Sequence, residues 1–219
     1  MAGMDTDQLV IESTTAPNAR VRRPEDRERE IVQAALELFV ARGFAATKLD
    51  DVARAARVSK GLPYLYFRSK EELFKAVIGE AILGPLHSGE DLVASFGGTT
   101  DELLREIVRR FHAFNETPAG GVFKLVVAEA GNFPDVARYF VDEIERRGLK
   151  LFIAVLRRGI ARGEIRPLAD IESAAILLRA PLGMYAIWRW SLAPHTPPDV
   201  PPESFFAAYI DILLKGLRP

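Results

Sequence analysis

The sequence predicts an all-α chain: a small three-helix head over residues 24–68 and a larger helical body over residues 69–219, behind a tail of residues 1–23. Three observations carry this. Apolar residues recur at spacings of three and four through most of the chain, capping residues and Gly/Pro breaks punctuate it at helix-length intervals, and no stretch reads as a strand or an internal repeat.

Composition narrows the function classes. With 219 residues, 48% of them hydrophobic, the chain can bury a substantial core. No apolar window is long enough to span a bilayer, and no basic region followed by an apolar run opens the sequence, so a cytoplasmic protein is expected. The absence of cysteine excludes disulfides and thiolate chemistry. His87, His112 and His195 are far apart and share no ligand spacing, so no metal site is expected. No phosphate-cradling glycine motif and no nucleophile elbow is present, which argues against an enzyme and against any cofactor. Charge is uneven: between Arg20 and Lys75 thirteen Lys/Arg stand against nine Asp/Glu, a net of +4, and since the chain totals −1 the remainder carries −5. A basic head on an acidic body suits a nucleic-acid-binding module joined to something else.

Taken in order, the tail lacks apolar periodicity and is expected to be flexible, with Arg20, Arg22 and Arg23 forming a basic arm at its end. A helix from about Pro24 to Arg42 has Pro at its start, Glu25 and Asp26 in its first turn, an apolar face of Ile31, Ala35, Leu38 and Phe39, and Gly43 as its stop. Phe44 should plug the core of the head. Thr47 followed by Asp50 reads as a capping box for a second helix through Leu49, Val52, Ala53 and Ala56. After Val58-Ser59 a third helix, capped by Ser59, is expected from Lys60 to Phe67. Two short helices about a tight turn, the second aromatic and flanked by Lys60, Arg68 and Lys70, have the shape of a helix-turn-helix that reads DNA.

At these residues, LFVARGFAATKLDDVARAARVSKGLPYLYFRSKEELF from Leu38 to Phe74, the chain resembles the TetR (tetracycline-repressor) family of transcriptional regulators. The resemblance covers about fifty residues strongly, with Gly43-Phe44, Thr47, Asp51-Val52-Ala53, Val58-Ser59, Tyr64, Tyr66-Phe67 and Ser69-Lys70-Glu71 in register, and it extends to the rest through the helical layout. It implies that Thr47, Ser59, Lys60, Gly61, Leu62, Tyr64, Tyr66 and Lys70 meet double-stranded DNA at a palindromic operator. Lys60 is the candidate for a guanine edge, Tyr64, Tyr66 and Lys70 for phosphates, Thr47 and Ser59 for further phosphates, and Leu62 for a thymine methyl. The chain departs from the family at Leu62-Pro63, and Pro63 should keep the start of the recognition helix loose or shift its first regular turn.

Ser69 with Glu72 caps a helix that links head to body and weakens at Gly84-Pro85, so the linking helix is expected over 69–84 and a loop over about 87–98. Thr99 with Glu102 caps the next helix, which carries Leu103, Ile107, Phe111 and Phe114 and ends near Pro118 to Gly121. A shorter helix spans Val122 to Ala130. A long run from Pro134 to about Arg162 follows, interrupted only at Gly148. Helices near 170–192 and 203–217 are apolar over most of their circumference and need cover on two sides, which a second copy of the chain would supply in an intermolecular four-helix bundle. The resemblance likewise implies a homodimer and a body that binds a small-molecule effector. Its candidate pocket residues are the aromatics Phe111, Phe114, Phe123, Phe152 and Trp188, with Glu129, Arg179 and His112 as polar anchors within apolar helices. The expected function is a dimeric, ligand-responsive regulator, most simply a repressor. The alternative is a helical binding protein whose head is impaired by Leu62-Pro63.

Overall fold

The computed structural model describes residues 24–195 and 200–219, and within them every regular element is helical. The basic arm and tail lie outside the described residues. Helix α1, Pro24–Arg42, ends at Gly43, whose φ of 88° is open to glycine and strained for other residues. That turn brings Phe44 under α1, against Phe39 and Phe74 at 5.2 and 4.8 Å between ring centroids. Helix α2 is Leu49–Ala55 and α3 is Leu62–Tyr66.

Both short helices begin later than the sequence suggests. Thr47 is 1% exposed, and its hydroxyl donates to the Gly43 carbonyl at 2.9 Å, so it satisfies the end of α1 rather than the start of α2. The Asp51 carboxylate accepts from the Lys48 N–H at 3.4 Å, one position on from the expected box. In α3, Pro63 occupies the first turn, where its missing N–H costs nothing, and the helix therefore starts at Leu62 instead of Lys60. Ser59 supplies only its carbonyl, which accepts from the Leu62 N–H at 2.9 Å.

Helix α4, Lys70–Ser95, is one continuous element of 26 residues, about 39 Å long at 1.5 Å per residue. The helix does not end at Gly84-Pro85, and of the expected loop over about 87–98 only residues 96–98 lie beyond it. Pro85 removes one ladder bond, but tertiary contacts on both sides of it outweigh that loss. Leu86, Leu92 and Val93 pack onto the core, Arg147 pairs with Glu90 at 2.6 Å, and Gly89 leaves room for the Leu151 side chain.

Helix α5, Thr100–Asn115, has the expected Thr99/Glu102 capping box, and a short 3₁₀ turn, Pro118–Gly121, leads into α6, Val122–Glu129. Helix α7, Pro134–Phe140, passes through a π turn at Val141–Glu145 into α8, Arg146–Ala161. The irregularity expected at Gly148 thus lies several residues earlier. Helices α9, Ile171–Ser191, and α10, Pro202–Leu217, close the fold, tied together by the Tyr209 hydroxyl donating to the Leu178 carbonyl.

Two apolar clusters organise the packing. The first joins α1, α2 and the N-terminal half of α4 to α6 and α7, and the second joins α5, α8, α9 and α10. Phe44 lies at the centre of the first, with Phe133 from the body against it at 4.9 Å. The core of the head is thus continuous with the body across the expected boundary after residue 68.

Candidate nucleic-acid interface and apolar cavity

On α3, Leu62 and Tyr66 are four residues apart and pack inward on the first cluster, which turns Tyr64 and Leu65 outward. Tyr64 is 54% and Leu65 81% exposed. Exposed Ser59, Lys60 and Gly61 precede them, and Lys48, Arg57 and Arg68 are exposed on the adjoining turns. Arg57 makes the turn between α2 and α3 with φ 55°. The Lys60 ammonium pairs with Asp50 at 2.9 Å, and that hydrogen bond holds it more firmly protonated than an isolated lysine. The face thus combines cations with an exposed Tyr-Leu pair, a composition suited to phosphates and base edges.

Four of the eight expected DNA-facing residues are occupied otherwise. Thr47 is buried beneath α1. Lys70 points inward: its ammonium donates to the carbonyls of Phe44, Ala45 and Thr47 at 2.8, 3.2 and 3.1 Å and lies 4.3 Å above the Phe44 ring. It is the clamp on the turn between α1 and α2. Tyr66 is half-buried and donates its hydroxyl to the Pro24 carbonyl at 3.2 Å, tying α3 to the start of α1. Leu62 lies on the packed side of α3. Leu65 was missed by sequence reasoning, although the spacing of Leu62 and Tyr66 is enough to point it outward.

The second feature is a cavity of about 730 Å³ where the two clusters meet. Helix α4 presents Ile82, Pro85, Leu86, Gly89 and Leu92 to it along one face, and α5, α6, α7, α8 and α9 complete the wall. Phe111, Phe114, Phe123, Phe152 and Arg179 line it as expected; His112, Glu129 and Trp188 do not. The reason is helical phase. His112 is turned from the face of Phe111 and lies 5.1 Å from the Phe206 ring, with its Nε2 3.8 Å from Glu116. Glu129, at the end of α6, accepts from the Asn132 amide at 3.2 Å. On α9 the lining runs from Ile176 to Ile187, and Trp188 is one step beyond it.

The charged lining residues are Arg110, Glu145 and Arg179. Arg179 pairs with Glu145 at 2.6 Å, linking α9 to the π turn, and Arg110 pairs with Glu106 at 2.7 Å. Arg109 and Arg110 together hold the Glu106 carboxyl at about 2. Val127, Val141, Ile176 and Met184 are lining residues that remain 43–65% exposed, and they mark the mouth. Asn115, fully buried, is a polar lining residue that the sequence reading passed over; its amide donates to the Phe111 carbonyl at 3.0 Å. Among the described residues no group of His, Asp or Glu is arranged to hold a metal, and no helix is long and apolar enough to cross a membrane.

Residues 31–77 match the family described as bacterial regulatory proteins, tetR family, and residues 97–209 match the tetracyclin repressor-like C-terminal domain. The chain is 24% identical over 196 residues to the HTH-type transcriptional repressor KstR2 of Mycolicibacterium smegmatis, covering 89% of this chain and 92% of that one. The crystal structure of the TetR family transcriptional regulator PfmR from Thermus thermophilus superposes with a TM-score of 0.67 at 26% identity, over 86% of this chain and 99% of that one. The transcriptional regulator FadR from Bacillus subtilis, solved in complex with stearoyl-CoA, superposes with a TM-score of 0.67 at 18% identity, over 87% and 99%.

Proposed function

The chain belongs to the tetR family of bacterial regulatory proteins, and on that premise we propose that it is a homodimeric repressor released from a roughly palindromic operator by a small apolar effector. That it is a DNA-binding transcriptional regulator follows from the family. The finer reading rests chiefly on α4. Its N-terminal half, with Leu73, Phe74, Val77 and Ile78, is embedded in the first cluster, onto which α3 packs Leu62 and Tyr66, and from Ile82 onward the same rod forms a wall of the cavity. Ile82 is twelve residues from Lys70, about 18 Å along the helix.

Two recognition helices reach successive major grooves only when about 34–36 Å apart. A molecule that fills the cavity and shifts α4 changes that spacing. Linkage then requires the operator to weaken effector binding by the same factor, about 5–150-fold for a coupling of about 1–3 kcal/mol. Pro85, which faces the cavity and removes one ladder bond, gives α4 a yielding point there. The FadR neighbour solved with stearoyl-CoA supports a ligand with a long apolar part.

Dimerisation is supported by α9 and α10. Each buries one side in the second cluster and leaves the other exposed, with Leu177 at 73%, Met184 at 65% and Ile212 at 71%, beside Ala180, Ala207 and Ala208. Such a stripe suits a partner helix from a second copy. On the DNA side we assign Lys48, Ser59, Lys60, Gly61, Tyr64 and Leu65, with Lys60 and Leu65 at base edges. Pro63 seated in the first turn of α3 favours a working head over an impaired one. The decisive experiment selects a binding site from random duplexes and weighs the complex by multi-angle light scattering. Two chains per palindromic site is the expected result; failure to enrich any sequence would overturn the reading.

A further inference from the structure

We infer that the cavity selects an electrically neutral, largely apolar molecule and rejects carboxylates and other anions, with Glu145 as the residue that sets this preference. The inference rests on the effector reading above and concerns the chemistry of that site. The wall has two cations: Arg179, which has Glu145 to itself, and Arg110, which is 42% exposed and shares Glu106 with Arg109. Arg179 is held by Glu145 at 2.6 Å, and Arg110 by Glu106 at 2.7 Å with the Ser88 hydroxyl at 3.1 Å from it. The Arg179–Glu145 pair is about three-quarters buried on both sides. Gly148, one turn beyond Glu145, leaves the guanidinium space to lie against α8.

An anion entering the buried part of this cavity meets a cation already neutralised by Glu145, while the excess positive charge of the Arg109–Glu106–Arg110 cluster stays in contact with water. The anion must shed its hydration against an apolar wall, or displace Glu145 from Arg179 and leave that carboxylate unpaired in the same surroundings. Both routes are costly. A neutral molecule leaves the pair intact and gains from apolar surface removed from water, and about 730 Å³ accommodates a drug-sized one.

The test uses the full chain and two probes with the same ten-carbon tail, 1-decanol and decanoate, titrated calorimetrically at about pH 8 so that the acid is ionised. The wild-type protein is expected to bind decanol at least about tenfold more tightly. Glu145→Gln frees Arg179 and should raise decanoate affinity by about tenfold while decanol changes little. Circular dichroism checks that the variant is folded. The paired variant Glu145→Leu with Arg179→Leu removes both charges; it should keep decanol binding without gaining decanoate, and it carries the test if Glu145→Gln does not fold. Decanoate bound by the wild type as tightly as decanol, a preference unchanged in Glu145→Gln, or binding of neither probe would each overturn the inference. Operator release is read separately by adding decanol to the DNA complex: if decanol binds in the cavity yet leaves the operator bound, the release mechanism fails and the selectivity stands.

Discussion

Replacing Lys70 with methionine separates two roles for one cation. The stem keeps its length, and the three hydrogen bonds to the carbonyls of Phe44, Ala45 and Thr47 and the contact with the Phe44 ring are lost. Two of those bonds are half-buried. Counting the two half-buried bonds at about 1.5 kcal/mol each and the ring contact at about 0.5 kcal/mol, the loss is about 3.5 kcal/mol. For a chain of 219 residues this lowers Tm by about 7–14 °C. Because the ammonium faces inward, the slope of log K against log salt for operator binding should match that of the wild type, measured by fluorescence anisotropy below the unfolding range. A phosphate contact would behave in the opposite way, lowering the slope by about one unit with Tm little changed. That second pattern would refute the assignment of Lys70 as a clamp.

Three further outcomes are expected. Leu65→Ser should leave Tm within about 0.5 kcal/mol of stability, since the side chain is 81% exposed, and should abolish a thymine preference at one operator position in a selection experiment; a selected site identical to that of the wild type counts against the contact. Glu164 accepts from the Thr100 hydroxyl and N–H at 2.5 and 2.8 Å and from Arg162 at 2.8 Å, which holds its carboxyl at about 2 against an ordinary 4.5. A depressed carboxyl stabilises the fold above its unfolded value and ceases to do so as pH falls through the folded one, so Glu164→Gln should flatten the loss of Tm between about pH 4.5 and 2. Gly120→Ala would place a methyl 2.6 Å from the Asn115 Cα, a backbone atom that no rotamer change can move, so a loss of about 1–3 kcal/mol in urea unfolding is expected; wild-type stability would show that the 3₁₀ turn yields.

The sequence by itself determined the helical class, the helix-turn-helix and most helix ends. Those properties are set by side chains within a few residues of one another: Gly43 stopping α1, Ser69 and Thr99 capping α4 and α5. Five of eight pocket candidates were legible for the same reason, because Phe111 and Phe114 share a helical face. Where long-range contacts compete with local signals, only the tertiary structure decided. Gly84-Pro85 reads as a helix end, yet Glu90–Arg147 and the packing of Leu86 and Leu92 carry α4 through it. Lys70 reads as a phosphate ligand beside a recognition helix, yet three carbonyls up to 26 positions away in the chain claim its ammonium. Arg179 and Glu145 are 34 residues apart and nothing local pairs them; the π turn against α9 does.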